Sequence, residues 1–389
     1  MLKYRPDIDG LRAIAVFSVI LFHAKIIVFD TYLLSGGFIG VDIFFVISGF
    51  LITSFIAEEI KQKKFSYLKF YERRIRRIFP ALFIVVFFSI IFSLIFFLPG
   101  DLLEFSQTLI TTTYFSSNFF FWKNTGYFFT ENEFKPLIHT WSLSVEEQFY
   151  ILFPISLVLL TRFFKPYTNI FLFSIFFLSI FIAESESRTG SSGSFYLLPT
   201  RGWEFLIGIF CALNNKKIEK RFNRIFDDFL SSLGFLMIVF SIIFFKENFV
   251  HPGLITLIPT LGTFLIILFS KENTISFKLL SNKFLVFNGL ISYSLYLWHQ
   301  PIFAFSKQIF ENFDSIKLII LNITITYIIA IFSWKFIEKP FRNPKKIQAN
   351  ILFLFCISSM IIFTLAGLAI YKSKGFINTY QASDHNLLK

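Results

Sequence analysis

Apolar runs of roughly eighteen or more residues, each long enough to cover the hydrocarbon core of a bilayer, recur from Leu11 to Tyr371. Water would have to cover too many such faces for a soluble fold. Only 16% of the 389 residues are charged, against about 25% in ordinary soluble domains, and 61 are phenylalanine. The pattern predicts an all-α, polytopic integral membrane protein and excludes a soluble globular domain. The formal charge of +12 would suggest a nucleic-acid partner in a soluble chain. Here the placement of the charges matters more than their sum, and no nucleic-acid partner is expected. Cys211 and Cys356 both fall inside apolar runs, so neither a disulfide framework nor a metal knuckle can be built from them.

Hydropathy and breaker residues predict crossings near 12–29, 37–57, 78–98, 142–161, 168–183, 200–214, 229–245, 253–270, 286–309, 316–337 and 350–371. With the N-terminus in the cytoplasm, 26 of the 37 Lys and Arg residues fall in inward connections. The excess of basic residues on the inner side therefore predicts N-in, C-out. The first apolar run follows a charged stretch and is closed by no small-residue cleavage site, so a retained first helix is expected. Residues 1–345 are expected to form one membrane domain of about ten helices. An eleventh helix over 346–371 and a short extracytoplasmic tail over 372–389 follow. The longest outward connection, 99–141, is rich in aromatics and hydroxyl residues from Tyr114 to Trp122 and is expected to lie along the surface or dip into a cavity.

Ionisable residues inside apolar helices are costly to bury and normally face a cavity or one another. Arg12 and His23 are eleven residues apart, which puts them on one helix face about 16 Å apart along the axis. Taken alone, they are either an inner-side anchor and a helix-packing contact or parts of a site. Asp42, in the glycine-rich run Gly36-Gly37-Phe38-Ile39-Gly40-Val41-Asp42, is expected at the depth of His23, where a carboxylate orients and polarises an imidazole. The glycines equally permit close helix packing. Polar groups recur in the same outer layer at Trp141, Ser142, Glu146 and Glu147, at Arg201 and Glu204, and at His299 ahead of Pro301. Each alone is as readily an ion pair or a belt residue; together they suggest a site. On the inner side, Arg73, Arg74 and Arg77 offer guanidinium forks suited either to phosphates or to anionic lipid.

Together these segments resemble the membrane acyltransferase type 3 family, which includes bacterial O-antigen and other surface-polysaccharide acetylases. The resemblance rests on Arg5-Pro6-Asp7-Ile8-Asp9-Gly10-Leu11-Arg12 leading to His23, on Phe44-Phe45-Val46-Ile47-Ser48-Gly49, and on the Arg73 to Pro80 run. It continues through Trp141 to Tyr150, Tyr293 to His299, and Glu338-Lys339-Pro340-Phe341-Arg342. It implies an enzyme of the bacterial inner membrane that takes an acyl group, usually acetyl, from cytoplasmic acyl-CoA and places it on a sugar hydroxyl of a cell-surface or lipid-linked glycan. No bound cofactor or metal is implied, and acetyl-CoA is the donor substrate. The family's Arg, ten residues, His pattern falls on Arg12 and His23, and its arginine motif on Arg74 and Arg77. Its Phe-Phe-x-x-Ser-Gly motif falls on Phe44 to Gly49. Many relatives carry a further extracytoplasmic esterase-like domain with a Gly-Asp-Ser nucleophile motif, which this sequence does not contain.

In the reading this supports, Arg73, Arg74, Arg77, Ser48 and Gly49 hold the acyl-CoA. His23 acts as general base or accepts the acyl group, with Arg12 and Asp42 as its catalytic partners. Trp141, Ser142, Glu146, Glu147, Arg201, Glu204 and His299 bind the acceptor or support the residues that do, the carboxylates by orienting the imidazole and Arg201 by polarising the carbonyl oxygen. Two other classes compete with an enzyme. A transporter or flippase for lipid-linked sugars would use the same polar layer as a path, and a scaffold would leave His23, Asp42 and His299 without a role.

Overall fold

The computed structural model describes residues 4–28, 31–124, 130–218, 223–310 and 315–379. Part of the expected tail, 380–389, lies outside the described residues, as does 125–129 of the outward connection. In chain order the helices begin with α1 (Pro6–His23), α2 (Gly40–Lys61), α3 (Tyr67–Phe96), α4 (Pro99–Thr113), α5 (Ser117–Asn124), α6 (Thr140–Phe163), α7 (Thr168–Arg188), α8 (Gly193–Tyr196) and α9 (Leu198–Ile218). They continue as α10 (Arg224–Phe244), α11 (Leu257–Phe269), α12 (Ile275–Leu280), α13 (Lys283–Leu290), α14 (Ser292–Ile309), α15 (Ile316–Ser333), α16 (Lys339–Phe341) and α17 (Ala349–Lys372). Among the described residues the only strand pairing is a short hairpin, β1 (Ile27–Val28) with β2 (Thr31–Tyr32).

Each of the eleven expected crossings overlaps a helix, and the one at 286–309 overlaps two. Seven helices among the described residues are long and apolar enough to cross a bilayer: Gly37–Lys61, Tyr67–Phe96, Thr140–Phe163, Lys165–Arg188, Arg224–Phe244, Ile316–Phe341 and Ala349–Lys372. The expected segments outside this group lie on α1, α9, α11 and α14. The first two carry buried charges, α11 is short, and α14 carries Ser, Tyr, His and Gln. Helices with polar faces belong inside the protein, because unsatisfied polar groups are costly in lipid. Burial varies accordingly: 72% of the apolar window of α2 is buried but only 22% of that of α17.

Several helix limits differ from expectation; α3, for one, begins at Tyr67 and not near residue 78. The first helix begins at Pro6, not near residue 12, because proline is favoured in the first turn and Asp7 and Asp9 complement the positive end of the helix dipole. It stops at His23 although apolar residues continue to Phe29, because Lys25 takes a left-handed conformation (φ 48°). His23 is therefore the last residue of its helix instead of lying a turn and a half inside it. The expected crossing 286–309 is two helices, α13 and α14, interrupted at Ile291.

The described residues fold as two compact units, one within 1–68 and 145–296, the other within 69–144 and 297–389. In the first, α2 lies along α9 with backbones almost touching. A Cβ on Gly49 would stand 2.1 Å from the Phe205 carbonyl oxygen, and one on Gly208 would stand 2.0 Å from that of Val46. In the second, α17 packs along α4, with Gly367 against Ile110. There Arg76 is buried, paired with Glu72 at 2.8 Å, and donates to the carbonyls of Phe341 (3.1 Å) and Ile347 (2.8 Å). These acceptors follow a π-helical turn, Trp334–Glu338, just ahead of Pro340, whose missing N–H disturbs the regular ladder.

Gly49→Val should lower the melting temperature of the detergent-solubilised protein by several degrees, since overpacking costs about 1–3 kcal/mol. Gly100→Val is the control, as nothing lies within 4 Å of its added Cβ. Equal effects at the two positions would remove the α2–α9 contact as the cause.

Candidate active site

The polar residues of the first unit gather at two levels. Arg12 and His23 lie on α1, which is unbroken between them, so the expected separation of about 16 Å along one face holds. Arg12 pairs with Asp9 at 3.4 Å, and Asp9 also accepts from the Tyr4 hydroxyl at 2.7 Å. His23 is half-buried, its ring 5.2 Å from that of Phe22. Phe22 leads to Phe38 (5.6 Å) and Phe38 to His251 (4.8 Å), giving a continuous aromatic contact between the two imidazoles.

At the other end of that contact lies a buried charge cluster. Arg201 pairs through Nη2 with Asp42 Oδ1 at 2.8 Å and through Nη1 with Glu204 at 3.2 Å. The rings of Phe45 (5.3 Å) and Phe195 (5.5 Å) lie beside the guanidinium, supplying cation–π contact. Asp42 Oδ2 accepts from His251 Nε2 at 3.1 Å. Because a carboxylate beside Arg201 accepts at Nε2, that nitrogen is assigned the proton, leaving Nδ1 as the basic atom of His251. Nδ1 is buried and has no hydrogen-bond partner among the described residues. An imidazole oriented in this way by a carboxylate is equipped to take up a proton.

Three of these four residues were legible as charges inside apolar helices. His251 was not, and it is the imidazole that the structure places on Asp42. Its only local signal is the run His251-Pro252-Gly253 in a connection between apolar helices, where a histidine is unremarkable.

Ser48 Oγ and Tyr150 OH both donate to Glu146 Oε1, and Tyr150 OH also lies 3.2 Å from Ser48 Oγ. Ser48 is thus bound to a carboxylate of α6, while the neighbouring Gly49 serves the α2–α9 approach. Glu147 is buried one residue further on.

In the second unit, Arg73, Arg74 and Arg77 are half-buried on α3, with the Arg74 guanidinium 6.0 Å from the Phe70 ring. The fourth arginine of that run, Arg76, is the structural one described above. His139 and His299 are both buried with ring centroids 5.5 Å apart, and Trp141 is buried two residues beyond His139. Ser142 Oγ donates to the His139 carbonyl at 3.2 Å. Hydroxyls of Thr112, Ser117, Thr140 and Ser144 form a ladder that ties α4 and α5 to the start of α6. Among the described residues no group of three or more His, Cys, Asp or Glu is placed to hold a metal ion.

An acyltransferase-domain family model matches residues 5–369. O-acetyltransferase OatA of Staphylococcus aureus strain NCTC 8325 / PS 47 is 33% identical over 354 residues, covering 88% of this chain and 58% of that protein. A putative O-acetyltransferase of Staphylococcus aureus strain MSSA476 is 34% identical over 355 residues, with the same coverage. The chain thus spans 58% of the length of these curated relatives. No solved structure matches it. Its apolar helices of crossing length and these bacterial relatives make it a multi-pass protein of the bacterial cell membrane.

Arg201→Met should destabilise the protein by about 3–5 kcal/mol in denaturant titrations, since it leaves Asp42 and Glu204 as uncompensated buried carboxylates. A loss below 1 kcal/mol would mean that the pair is not desolvated. The His251 connection gives a pH dependence. Burial holds its imidazole below the ordinary value of 6.5, with Asp42 opposing the shift and Arg201 adding to it. The unfolded chain therefore takes up the proton first, and stability should fall as pH drops below about 6.5. Melting temperatures followed from pH 8 to pH 5 should show that decline, and His251→Gln, which keeps a donor toward Asp42, should flatten it.

Proposed function

The chain belongs to the acyltransferase-domain family, and from that premise we propose that it is a membrane-bound O-acetyltransferase. It moves an acetyl group from acetyl-CoA on the cytoplasmic side to a hydroxyl of a cell-surface or lipid-linked glycan. The observations that carry this reading are the family match over residues 5–369 and the 33% and 34% identity to relatives named O-acetyltransferase. Arg12 and His23 on one face of α1 support it.

The reaction joins the acceptor oxygen to the thioester carbonyl carbon and breaks the carbon–sulfur bond. The hydroxyl proton must leave and the departing thiolate must gain one. His23 Nδ1 or Nε2 performs both transfers in turn, or takes the acetyl group itself before the hydroxyl attacks. Arg12, a turn and a half into the same helix, supplies fixed positive charge toward the donor. Arg73, Arg74 and Arg77 have the fork geometry that phosphate oxygens require. The buried cluster of Arg201, Asp42, Glu204 and His251 supplies preorganised charge and a second imidazole.

Purified protein in lipid nanodiscs, given acetyl-CoA and envelope glycan fragments, should release free CoA thiol and form glycan-bound acetyl ester in equal amounts. His23→Ala should lower both rates by about 10²-fold or more, as expected for loss of a general base, with the melting temperature retained. Turnover close to wild type would remove His23 from the mechanism. Glycan movement without donor consumption would replace the enzyme by a transporter.

A further inference from the structure

The second unit contains a cavity that none of the residues discussed so far lines. It has a volume of about 310 Å³, at the lower end of the range of small-ligand sites. Phe105 of α4 is buried in its wall, and Phe134 at the end of the Thr130–Phe134 turn is 36% exposed. The polar part of the lining comes from Asp101, Glu104 and Thr108 of α4, from Lys135, and from Gln308 of α14. The aromatic rings give apolar plates, while the carboxylates, ammonium and amide give hydrogen-bond donors and acceptors at their edges.

The Phe134 segment is held at three points. Lys135 Nζ pairs with Glu104 Oε1 at 2.7 Å, Glu133 pairs with Lys307, and Gln300 Nε2 donates to the Lys135 carbonyl at 3.1 Å. The Phe134 ring is therefore presented by a tied segment, which reduces the ordering required when a ligand binds.

The lining selects among ligand classes. Two carboxylates against one ammonium disfavour a polyanion such as the phosphates of CoA. An acyl chain would strand the Lys135–Glu104 pair in apolar surroundings. A sugar ring matches both halves: its C–H face stacks on an aromatic plate, and its hydroxyls donate to carboxylates and accept from an amide. We propose that this cavity is an acceptor subsite holding one saccharide residue of the glycan, stacked on Phe134 and hydrogen-bonded by Asp101, Glu104 and Gln308. This rests on the glycan-acceptor part of the proposed function and names the residues that recognise it.

The test uses the full chain in nanodiscs, with size-fractionated glycan fragments released enzymatically from the envelope of the producing bacterium. Fragment binding is titrated calorimetrically, and acetyl transfer is followed against fragment concentration at saturating acetyl-CoA. Phe134→Ala and Gln308→Ala should each weaken binding about tenfold or less and raise KM for the fragments by a similar factor. Their kcat and donor-only CoA release should stay within twofold of wild type. Phe134→Tyr, which keeps the ring, should restore binding. Wild-type affinity and KM in both alanine variants would overturn the subsite while leaving the acetyltransferase reading intact. So would a Phe134→Tyr protein as weak as Phe134→Ala, since the stacking plate would then be irrelevant. If wild type neither binds nor acetylates the fragments, the acceptor assignment itself fails and the subsite falls with it.

Discussion

The first unit is organised around one fully buried guanidinium. Arg201 cannot lose its charge, so α9 can be placed in the interior only where other chain segments bring counter-charge to it. Asp42 does so from α2, Glu204 from the same face of α9, and Phe45 and Phe195 close the sides. The backbone contact nearby fixes the register. Asp42 and Gly49 are seven residues apart on α2, and Arg201 and Gly208 are seven apart on α9. Two parallel helices that touch at the glycines therefore bring carboxylate and guanidinium to the same level about two turns, or roughly 10 Å, away. Close packing and charge pairing are thus two consequences of one alignment.

That alignment explains what was legible in the sequence. A charge inside an apolar run is conspicuous because hydrocarbon makes it costly, so Asp42, Arg201 and Glu204 could be singled out one by one. Their meeting could not be, since it depends on helices separated by more than a hundred residues lying side by side. His251 was hidden for the opposite reason. In a connecting segment a histidine has no conspicuous cost, and its pairing with Asp42 spans 209 positions. Glu146 was visible as one of two adjacent carboxylates, but its bonds to Ser48 and Tyr150 again belong to the tertiary fold.

Helix limits were least legible where hydrophobicity and backbone conformation disagree. Apolar residues continue beyond His23, so a hydropathy window runs past the helix end that Lys25 imposes. The consequence is chemical as well as geometric. At the end of α1 the His23 imidazole sits in the last turn, where a positive charge on the ring is favoured by the negative end of the helix dipole. The polar faces of α1, α9 and α14 lowered their hydropathy for the same reason that they are useful: buried helices can carry the groups that lipid-facing helices cannot.

In the second unit, ion pairs do a different task from that of Arg201. The Lys135–Glu104 pair is partly open to water, with Glu104 40% and Lys135 14% exposed, and such pairs contribute only about 0–1 kcal/mol each. The Phe134 segment is held by two such pairs together with the bond from Gln300 to the Lys135 carbonyl, not by either pair alone. Arg76 supplies firmer anchoring elsewhere in the unit, because it is buried and bonds two backbone carbonyls as well as Glu72. The hydroxyl ladder from Thr112 to Ser144 fixes α4 and α5 against the start of α6 with neutral groups, which require no counter-charge on burial. Strong desolvated bonds thus set the frame, and partly exposed pairs tie the segment that carries Phe134 to it. Salt should therefore loosen the segment well before it affects the frame, because screening acts on exposed charges and scarcely on buried ones.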